Sequence, residues 1–287
     1  MGAVDADVDG ERTFSAAEMT GLWDGFWKGG YYEGDPLDPF GESSYAQMGF
    51  VSVLHAVYQV CIKPYVTSET NVLEIGPGRG AWTKTMLAAK EIWCVDVNTP
   101  EHNNFWQHVG EANRDKVRYL RVRDFSCSDL PDDHFDVLFS FGTFCHIPVE
   151  GQRDYLRNLL GKMRKGGVAT IMVADFDKYN AAVRAYGNLS VSFRRYPAAL
   201  KFGRKLFDAG RALRDVVYLL ARRRPPGVLF DPMRLRDEAV VERSQGAWFH
   251  AGTDRTCRFA QSVGWEVVSP DVGLCVRDPL IMLRRGA

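Results

Sequence analysis

The sequence predicts an α/β fold, in which helices cover an open β-sheet. Two observations lead to this class. Short apolar runs of strand length alternate with helical patterns along the middle of the chain. One run ends in a glycine-rich turn within NVLEIGPGRGAWT, residues 71–83, so that strand, turn and helix form the first half of a βαβ unit. With 287 residues, of which 46% are hydrophobic, the chain can bury a substantial core as one domain.

The segment before this turn predicts a tail and a flap. Residues 1–13 are acidic and lack a long apolar run, so we expect a mobile tail with neither a signal peptide nor a membrane span. Residues 14–66 mix aromatic rings with glycine and aspartate, and the rings, including Tyr31 and Tyr32, either cover a substrate as a lid or pack on the core. The flap ends in a helical pattern with His55 beside its apolar stripe, for which we expect a structural role.

The glycine turn is the centre of the predicted site. Residues 81–87 are expected to continue as a helix, and residues 91–97 as a second strand that ends near Asp96. This carboxylate lies twenty residues after Gly76, the distance at which an acidic residue meets ribose hydroxyls. Three glycines let the backbone turn sharply and approach a ligand closely: Gly76, Gly78 and Gly80. Because the turn also fits the looser pattern G-x-G-x-x-(G/A), a dinucleotide site and a turn without a ligand stay open.

Glu74 and the order of the later segments carry a resemblance to a known family. The pattern E-x-G-x-G-x-G, which begins at Glu74, resembles motif I of the class I S-adenosyl-L-methionine (SAM) methyltransferases. A strand pattern at 117–122 followed by Asp124-Phe125, a further strand pattern, and Lys-Gly-Gly before residues 168–174 follow in the order of that family. The resemblance implies a Rossmann-like sheet of seven strands, the last antiparallel, with SAM as the cofactor.

The same resemblance implies cofactor contacts along the strand ends. In that family an acidic residue after the third strand accepts a hydrogen bond from the adenine amino group, which Asp124 matches, and the next side chain, here Phe125, packs near the ring. A solvated aspartate at a strand end is the alternative for Asp124. The candidate cofactor-binding residues are Glu74, Gly76, Pro77, Gly78, Gly80, Asp96, Asp124, Phe125 and Phe141.

His146 is the candidate catalytic base. It lies in SFGTFCHIP, residues 140–148, directly after the fourth strand pattern, where the ligand crevice of an open α/β sheet is found. Methyl transfer from a sulfonium is an in-line displacement, so the protein must align the acceptor, exclude water and remove a proton. A neutral imidazole can accept a hydroxyl proton at pH 7. The alternative is a capping or core histidine.

Two aspartates follow the fifth strand pattern at the same edge. Asp175 is assigned a catalytic role, in which it orients His146, and Asp177 a contact with a polar substrate. Two nearby carboxylates can also hold a divalent ion such as Mg²⁺, or cap a helix. The sequence leaves these roles open, and the metal requirement with them.

A basic insertion and a terminal hairpin complete the chain. Residues 179–250 form the insertion, in which apolar residues at helical spacing alternate with arginines and lysines. We expect a helical insertion that serves as a solvated face, a substrate lid or the arm of a homodimer. Near its end, Trp248 and His250 either line the acceptor pocket or pack in the core. Strand patterns at 265–268 and 280–283 resemble the last two strands of the class I methyltransferase sheet.

The composition limits which binding partners and which cellular compartment we expect. Thirty-six basic residues balance 36 acidic ones, so overall charge gives no reason to expect a nucleic-acid partner. The six cysteines are scattered, with no C-x-x-C pair, which indicates reduced and mostly buried thiols in a cytoplasmic protein.

A closer resemblance concerns the acceptor. Taken together, EIGPGRGAWT, DFSCSDLPDDHFDVLFSFGTFCH and VADFDKYN resemble bacterial sugar O-methyltransferases, a group that includes the 1-O-methyltransferase of mycobacterial methylmannose polysaccharide synthesis. This resemblance implies a mannoside acceptor, such as the 1-OH of a 3-O-methylated mannoside, with His146 near the reacting hydroxyl. Two alternatives stay open. One is a small natural-product hydroxyl, amine or carboxylate as the acceptor, and the other is a non-catalytic SAM-binding or scaffold protein.

Overall fold

The structure is a computed structural model, and it describes residues 35–39, 52–178, 213, 240–242, 246–275 and 278–286. The predicted tail at 1–13, Tyr31 and Tyr32, and most of the predicted flap and basic insertion lie outside these residues. The ranges 52–178 and 246–286, with a gap at 276–277, contain every strand of the main sheet.

The described residues contain nine strands and four α-helices. The strands are β1 Asn71–Ile75, β2 Glu91–Asp96, β3 Val117–Arg121, β4 Phe135–Ser140, β5 Met163–Met172, β6 Val240–Glu242, β7 Gly246–Trp248, β8 Trp265–Ser269 and β9 Leu280–Arg285. The α-helices are α1 Val53–Val57, α2 Phe105–Val109, α3 Val149–Lys162 and α4 Thr253–Val263, with a π-helical turn at Tyr58–Ile62 and 3₁₀ helices at Thr83–Met86, Glu111–Asn113 and Phe144–His146. None of these helices is long and apolar enough to cross a membrane.

Seven of the strands form one sheet in the order β3-β2-β1-β4-β5-β9-β8. Strands β1 to β5 are parallel, and β9 is antiparallel to both of its neighbours. The predicted seven-stranded α/β sheet with an antiparallel last strand is therefore confirmed. Because the chain runs outward from β1 to β3 and then returns beside β1 as β4, the order of strands reverses between β1 and β4. Ligands bind at such a reversal in open α/β sheets.

The sheet is buried on both faces. Leu73 and Ile75 of β1 pack into one hydrophobic cluster with side chains of α3 and α4, whereas Val72 faces a second cluster that includes α1 and α2. Alternate residues of a strand point to opposite faces, so a strand covered on both sides reads as a continuous apolar run. Glu74 is the one charged residue in β1, and it too is buried.

The segment after the glycine turn differs from the prediction. The expected helix at 81–87 is a 3₁₀ helix of four residues, preceded by turns. Two threonines explain the difference, because Thr85 Oγ1 donates a hydrogen bond to the carbonyl of Trp82 and Thr83 Oγ1 donates to Glu74. Such side-chain bonds, together with β-branching, compete with an α-helix.

Two short strands lie near the end of the predicted insertion. β6 and β7 pair as an antiparallel hairpin. They contain Val240, Val241 and Trp248, which are residue types that favour strands. Residues 179–212, 214–239 and 243–245 lie outside the part that the structure describes, so the helical character of the insertion stays a prediction.

The predicted structural role of His55 is confirmed by its contacts. Its Nδ1 lies 2.9 Å from the carbonyl oxygen of Pro36, and its Nε2 lies 2.9 Å from Nε2 of Gln59. A carbonyl can only accept, so Nδ1 carries the proton and Nε2 accepts from the amide. The ring therefore joins residues 35–39 to α1.

The predicted burial of the cysteines is also confirmed. All six are free thiols, five are buried, and Cys275 is half-buried.

Candidate functional site

The candidate site lies at the carboxyl ends of the parallel strands, where β1 and β4 meet. Three segments come together there: the glycine loop at 76–80, the end of β2 at Asp96, and residues 141–148 after β4.

The glycines of the loop are required by its backbone and by its packing. Gly76, Gly78 and Gly80 have φ values of 71°, 52° and 87°, in the left-handed region that favours glycine. A Cβ on Gly76 would lie 2.1 Å from Oγ1 of Thr143, and one on Gly80 would lie 2.2 Å from Cγ2 of Val109. The sharp turn was predicted from the sequence, but the close approach at these two glycines is made by protein side chains.

Asp96 is tied to the glycine loop. Its Oδ2 accepts hydrogen bonds from the backbone N–H of Gly78 at 3.4 Å and from Nδ2 of Asn103 at 3.2 Å, and its Oδ1 accepts from the N–H of Asn98 at 2.9 Å. Burial raises the pKa of Asp96 to about 6, although these hydrogen bonds act in the opposite direction. The predicted ribose contact is thus held beside the loop by Asn103, a residue that no sequence pattern singled out.

Glu74 lies beneath the loop. It is 2% exposed, and its Oε2 accepts hydrogen bonds from Thr83 Oγ1 at 2.6 Å and from Cys94 Sγ at 3.7 Å. Burial raises the pKa of Glu74 to about 7, and the nearby charge of Asp96 adds to the effect. The carboxyl group thus joins β1 to β2 and to the 3₁₀ helix after the loop, and its direct contact with a cofactor stays a prediction.

His146 belongs to a short turn that rests on the glycine loop. The N–H of His146 donates to the carbonyl of Thr143 at 2.9 Å, and Thr143 Oγ1 donates to the carbonyl of Gly76 at 3.2 Å. The imidazole is 6% exposed and meets the edge of the Trp248 ring, with the ring centroids 5.6 Å apart. Thr143, which the sequence did not mark, therefore connects the two predicted parts of the site.

Trp248 and His250 hold the ends of β4 and β5 together. Trp248 is buried in a cluster with Cys145, Ala174 and Phe176. His250 Nδ1 accepts a hydrogen bond from the N–H of Phe176 at 3.0 Å, and the two rings stack at 5.1 Å. Since Nδ1 is an acceptor, the neutral ring carries its proton on Nε2. The packing role of these two residues is observed, and their contact with a substrate stays a prediction.

Asp175 has a capping arrangement. Its Oδ1 accepts from the N–H groups of Asp177 and Lys178 at 2.9 and 3.1 Å, and its Oδ2 accepts from the N–H and Oγ1 of Thr253 at 2.8 and 2.5 Å. Burial acts to raise the pKa of Asp175, but the hydrogen bonds from Thr253 and Lys178 outweigh it and keep that pKa below its ordinary value. All four acceptor positions of the carboxylate are used in this way. Asp177 is exposed beside it.

Asp124 lies at the rim of a cavity of about 210 Å³ beside β3. Its Oδ1 accepts from the N–H and Oγ of Ser126 at 2.9 and 2.6 Å, and these bonds lower the pKa of Asp124. Among the described residues, no donor contacts Oδ2, which is free to accept a hydrogen bond from a ligand. Phe125 points to α3 instead, where a Cβ on Gly151 would lie 2.6 Å from its Cε2.

Phe141 stands over a buried tryptophan. Its ring centroid is 4.7 Å from that of Trp82, which also packs on Phe139. Pro77 is buried within the loop. Within the described ranges, no group of three or more histidine, cysteine, aspartate or glutamate side chains is arranged to hold a metal ion.

Comparison with known proteins agrees with this architecture. A family model described as a methyltransferase domain matches residues 72–167. A SAM-dependent methyltransferase from Mesorhizobium loti is 12% identical over 82% of this chain and 98% of its own, with a TM-score of 0.51. No curated protein matches the sequence.

Two further solved structures are similar over different lengths. The 1,6-didemethyltoxoflavin-N1-methyltransferase of Burkholderia thailandensis is 14% identical over 82% of this chain and 79% of its own, with a TM-score of 0.46. YcgJ from Bacillus subtilis is 19% identical over 45% of this chain, with a TM-score of 0.36, and this chain covers 58% of it, a little more than half of its length.

The fold and the crevice define an α/β protein with the class I methyltransferase architecture. The match to a methyltransferase-domain model, which spans residues 72–167, agrees with this architecture.

Proposed function

We propose that this enzyme is a SAM-dependent O-methyltransferase that acts on a sugar hydroxyl. The observation that carries the proposal is the position of His146, whose turn is joined through Thr143 to the glycine loop. An alcohol must lose its proton as it attacks the methyl group, and an imidazole next to the cofactor loop is the side chain best suited to accept it.

The residues around the loop fit the cofactor. Asp96 is positioned for ribose hydroxyls by its bonds to the loop, and Asp124 has a free carboxylate oxygen for an adenine amino group. When bound, SAM supplies the methyl group on a positively charged sulfur. The glycine loop and Pro77 would hold its methionyl part, and Phe141 would contact it.

The acceptor side supplies a base and a dry environment. His146 takes the proton of the acceptor hydroxyl while Trp248 fixes one side of its ring. Asp175 acts as a positioning residue, because it joins the end of β5 to the start of α4. The exposed Asp177 and the ring of His250 are proposed to contact the acceptor, as are Tyr31 and Tyr32.

The choice of a sugar rests on the sequence resemblance to bacterial sugar O-methyltransferases, which implies a mannoside acceptor such as the 1-OH of a 3-O-methylated mannoside. A catalytic Mg²⁺ held by Asp175 is not part of the proposal, since protein donors use all four of its acceptor positions.

The acceptor is tested by transfer of a labelled methyl group from SAM. The panel contains mannose, 3-O-methylmannosides, short mannose oligomers, phenols, amines and carboxylic acids, each with Mg²⁺ and with a chelator. We expect label on a mannoside in both conditions. Label only on a phenol, amine or acid would support the methyltransferase activity and contradict a sugar as the acceptor. Loss of transfer in chelator would contradict the assignment of Asp175.

The base is tested with His146→Ala. We expect turnover to fall about 10²- to 10⁴-fold, the usual contribution of a general base, while SAM affinity measured by calorimetry stays within about twofold. The matched control is His108→Ala, since this histidine is exposed on α2 and, among the described residues, its ring bonds to the carbonyl of Asn104 alone. Turnover that survives the His146 change would favour a carboxylate acceptor, which needs no base.

A further inference from the structure

A second polar group faces the cavity beside Asp124. The cavity opens at the carboxyl ends of β2 and β3, and its walls combine the apolar side chains of Val95, Leu120 and Val122 with the polar loop that includes Asp124. Its volume of about 210 Å³ is far larger than the ~10–15 Å³ that one water molecule needs. The cavity can therefore hold a ligand group with apolar faces and a polar edge.

Tyr155 closes the inner side of this cavity. It belongs to α3, is 3% exposed, and its ring is fixed by Phe125 at 5.1 Å and Phe144 at 5.7 Å. No described residue forms a hydrogen bond with its hydroxyl group. Tyr119 makes a useful comparison, because the hydroxyl of this half-buried residue donates to the carbonyl of Asn98 and accepts from Asn103. The Tyr155 hydroxyl has no such partners, and at the wall of a cavity it is open to a ligand or water.

The chemistry of the two polar groups restricts the ligand. Asp124 is ionised and can only accept, so it needs an N–H donor on the ligand. Burial raises the pKa of Tyr155 far above its ordinary value, so the phenol stays protonated and can donate. A donor and an acceptor on the edge of a flat, apolar ring is the pattern of adenine, with its amino group and ring nitrogens.

We propose that Tyr155 is a cofactor-specificity residue whose hydroxyl donates a hydrogen bond to a ring nitrogen of adenine, while Asp124 accepts from the amino group. The inference rests on the proposed SAM-dependent function and adds Tyr155 as a residue that recognises the adenine ring. The ring is already held by Phe125 and Phe144, so the hydroxyl is positioned before the ligand binds.

The test is Tyr155→Phe, with binding of S-adenosylhomocysteine measured by calorimetry. Loss of one neutral hydrogen bond should weaken binding about 3- to 10-fold. The free variant should melt at the same temperature as the wild type, because no hydrogen bond to a described residue is lost. The matched control is Tyr65→Phe, whose hydroxyl contacts Met282 away from the cavity, and it should leave affinity unchanged.

The analogues 1-deaza-, 3-deaza- and 7-deaza-S-adenosylhomocysteine identify the contact atom. The wild type should bind one of the three about 3- to 10-fold more weakly than the parent compound, and Tyr155→Phe should bind that analogue and the parent equally. Unchanged affinity of Tyr155→Phe, or an analogue penalty that persists in the variant, would overturn the inference and leave the methyltransferase proposal intact. No binding of S-adenosylhomocysteine to the wild type would overturn both.

Discussion

The proposed cofactor half of the crevice, which includes Glu74, the glycine loop and Asp96, is held together by residues close in sequence. The proposed acceptor half, around His146 and Asp175, is held by residues far apart. In the first half, Thr83 bonds to Glu74 nine residues away, and Gly78 bonds to Asp96 eighteen residues away. In the second, Thr253 bonds to Asp175 across 78 residues. The glycine loop can thus form from one βαβ unit, while the surroundings of His146 require the chain to return from the insertion.

The largest expected effect comes from breaking the cofactor half at Gly76. Gly76→Ala combines a positive φ with a Cβ 2.1 Å from Thr143 Oγ1, and we expect a loss of about 2–5 kcal/mol in the free energy of unfolding, measured with urea. Gly166→Ala is the matched control, because Gly166 has φ 79° and open space around it. It should lose only about 1–2 kcal/mol.

A double variant separates packing from backbone strain. Thr143→Gly removes the atoms that the new Cβ would meet, so the Gly76→Ala change should cost less in that background. If Gly76→Ala and Gly166→Ala lost the same free energy of unfolding, the contact with Thr143 would contribute nothing to the effect at Gly76.

The next largest effect is a pH-dependent change in stability caused by Glu74 in the same half of the crevice. Because the pKa of folded Glu74 is about 7, above its ordinary 4.5, the folded state favours the protonated form, and the cost of ionising it grows as pH rises from 4.5 to 7. Glu74→Gln should therefore be more stable than the wild type at pH 8, by about 3 kcal/mol at most. The gain should disappear near pH 5.

Urea unfolding at pH 5, 6, 7 and 8 measures this effect. Some pH dependence should remain in the variant, since the pKa of Asp96 is also raised, to about 6. A difference between wild type and variant that is the same at every pH would contradict the burial of Glu74 as its cause.

The smallest expected effect is a loss of stability in the proposed acceptor half, at Asp175. Asp175→Asn turns one acceptor oxygen into a donor facing other donors, and we expect a loss of about 2 kcal/mol at pH 7. Because the pKa of Asp175 is lowered, its contribution is present above its ordinary value near 3.8 and is lost as pH falls through the lower folded value. The difference should shrink at pH 3.

Asp177→Asn is the control for this variant, since Asp177 is exposed. If both substitutions cost the same in thermal unfolding at pH 7, Asp175 does not have the structural role assigned to it.

The fold and the cofactor half could be predicted because their signals are local. Apolar runs predicted β1 to β4 to within one residue at each end, whereas β5 begins at Met163, five residues before the predicted start at 168. The spacing of the glycines and Asp96 marked the loop. The helix expected after the loop was wrong because Thr85 bonds back to the carbonyl of Trp82 and Thr83 bonds to Glu74 in β1. Their hydroxyls leave no periodic signature in a sequence.

The acceptor half could be predicted only in part. His146 was proposed from its place after β4, but the residues that contact it, Thr143 and Trp248, are recognised only when the loop and the hairpin are seen in contact with its turn. Tyr155 reads in sequence as one more apolar position of an amphipathic helix. Its exposure to the cavity depends on how the loop after β3 folds over it.

The two ends of the basic insertion are fastened at neighbouring points. Ala174 forms a bridge with His250, and Phe176 and Asp175 bond to His250 and Thr253 just beyond it. Once such a junction is closed, doubling the length of the connecting segment adds only about 0.6 kcal/mol of closure entropy. The segment between these two points can therefore change in length at little cost in stability, without any rebuilding of the sheet.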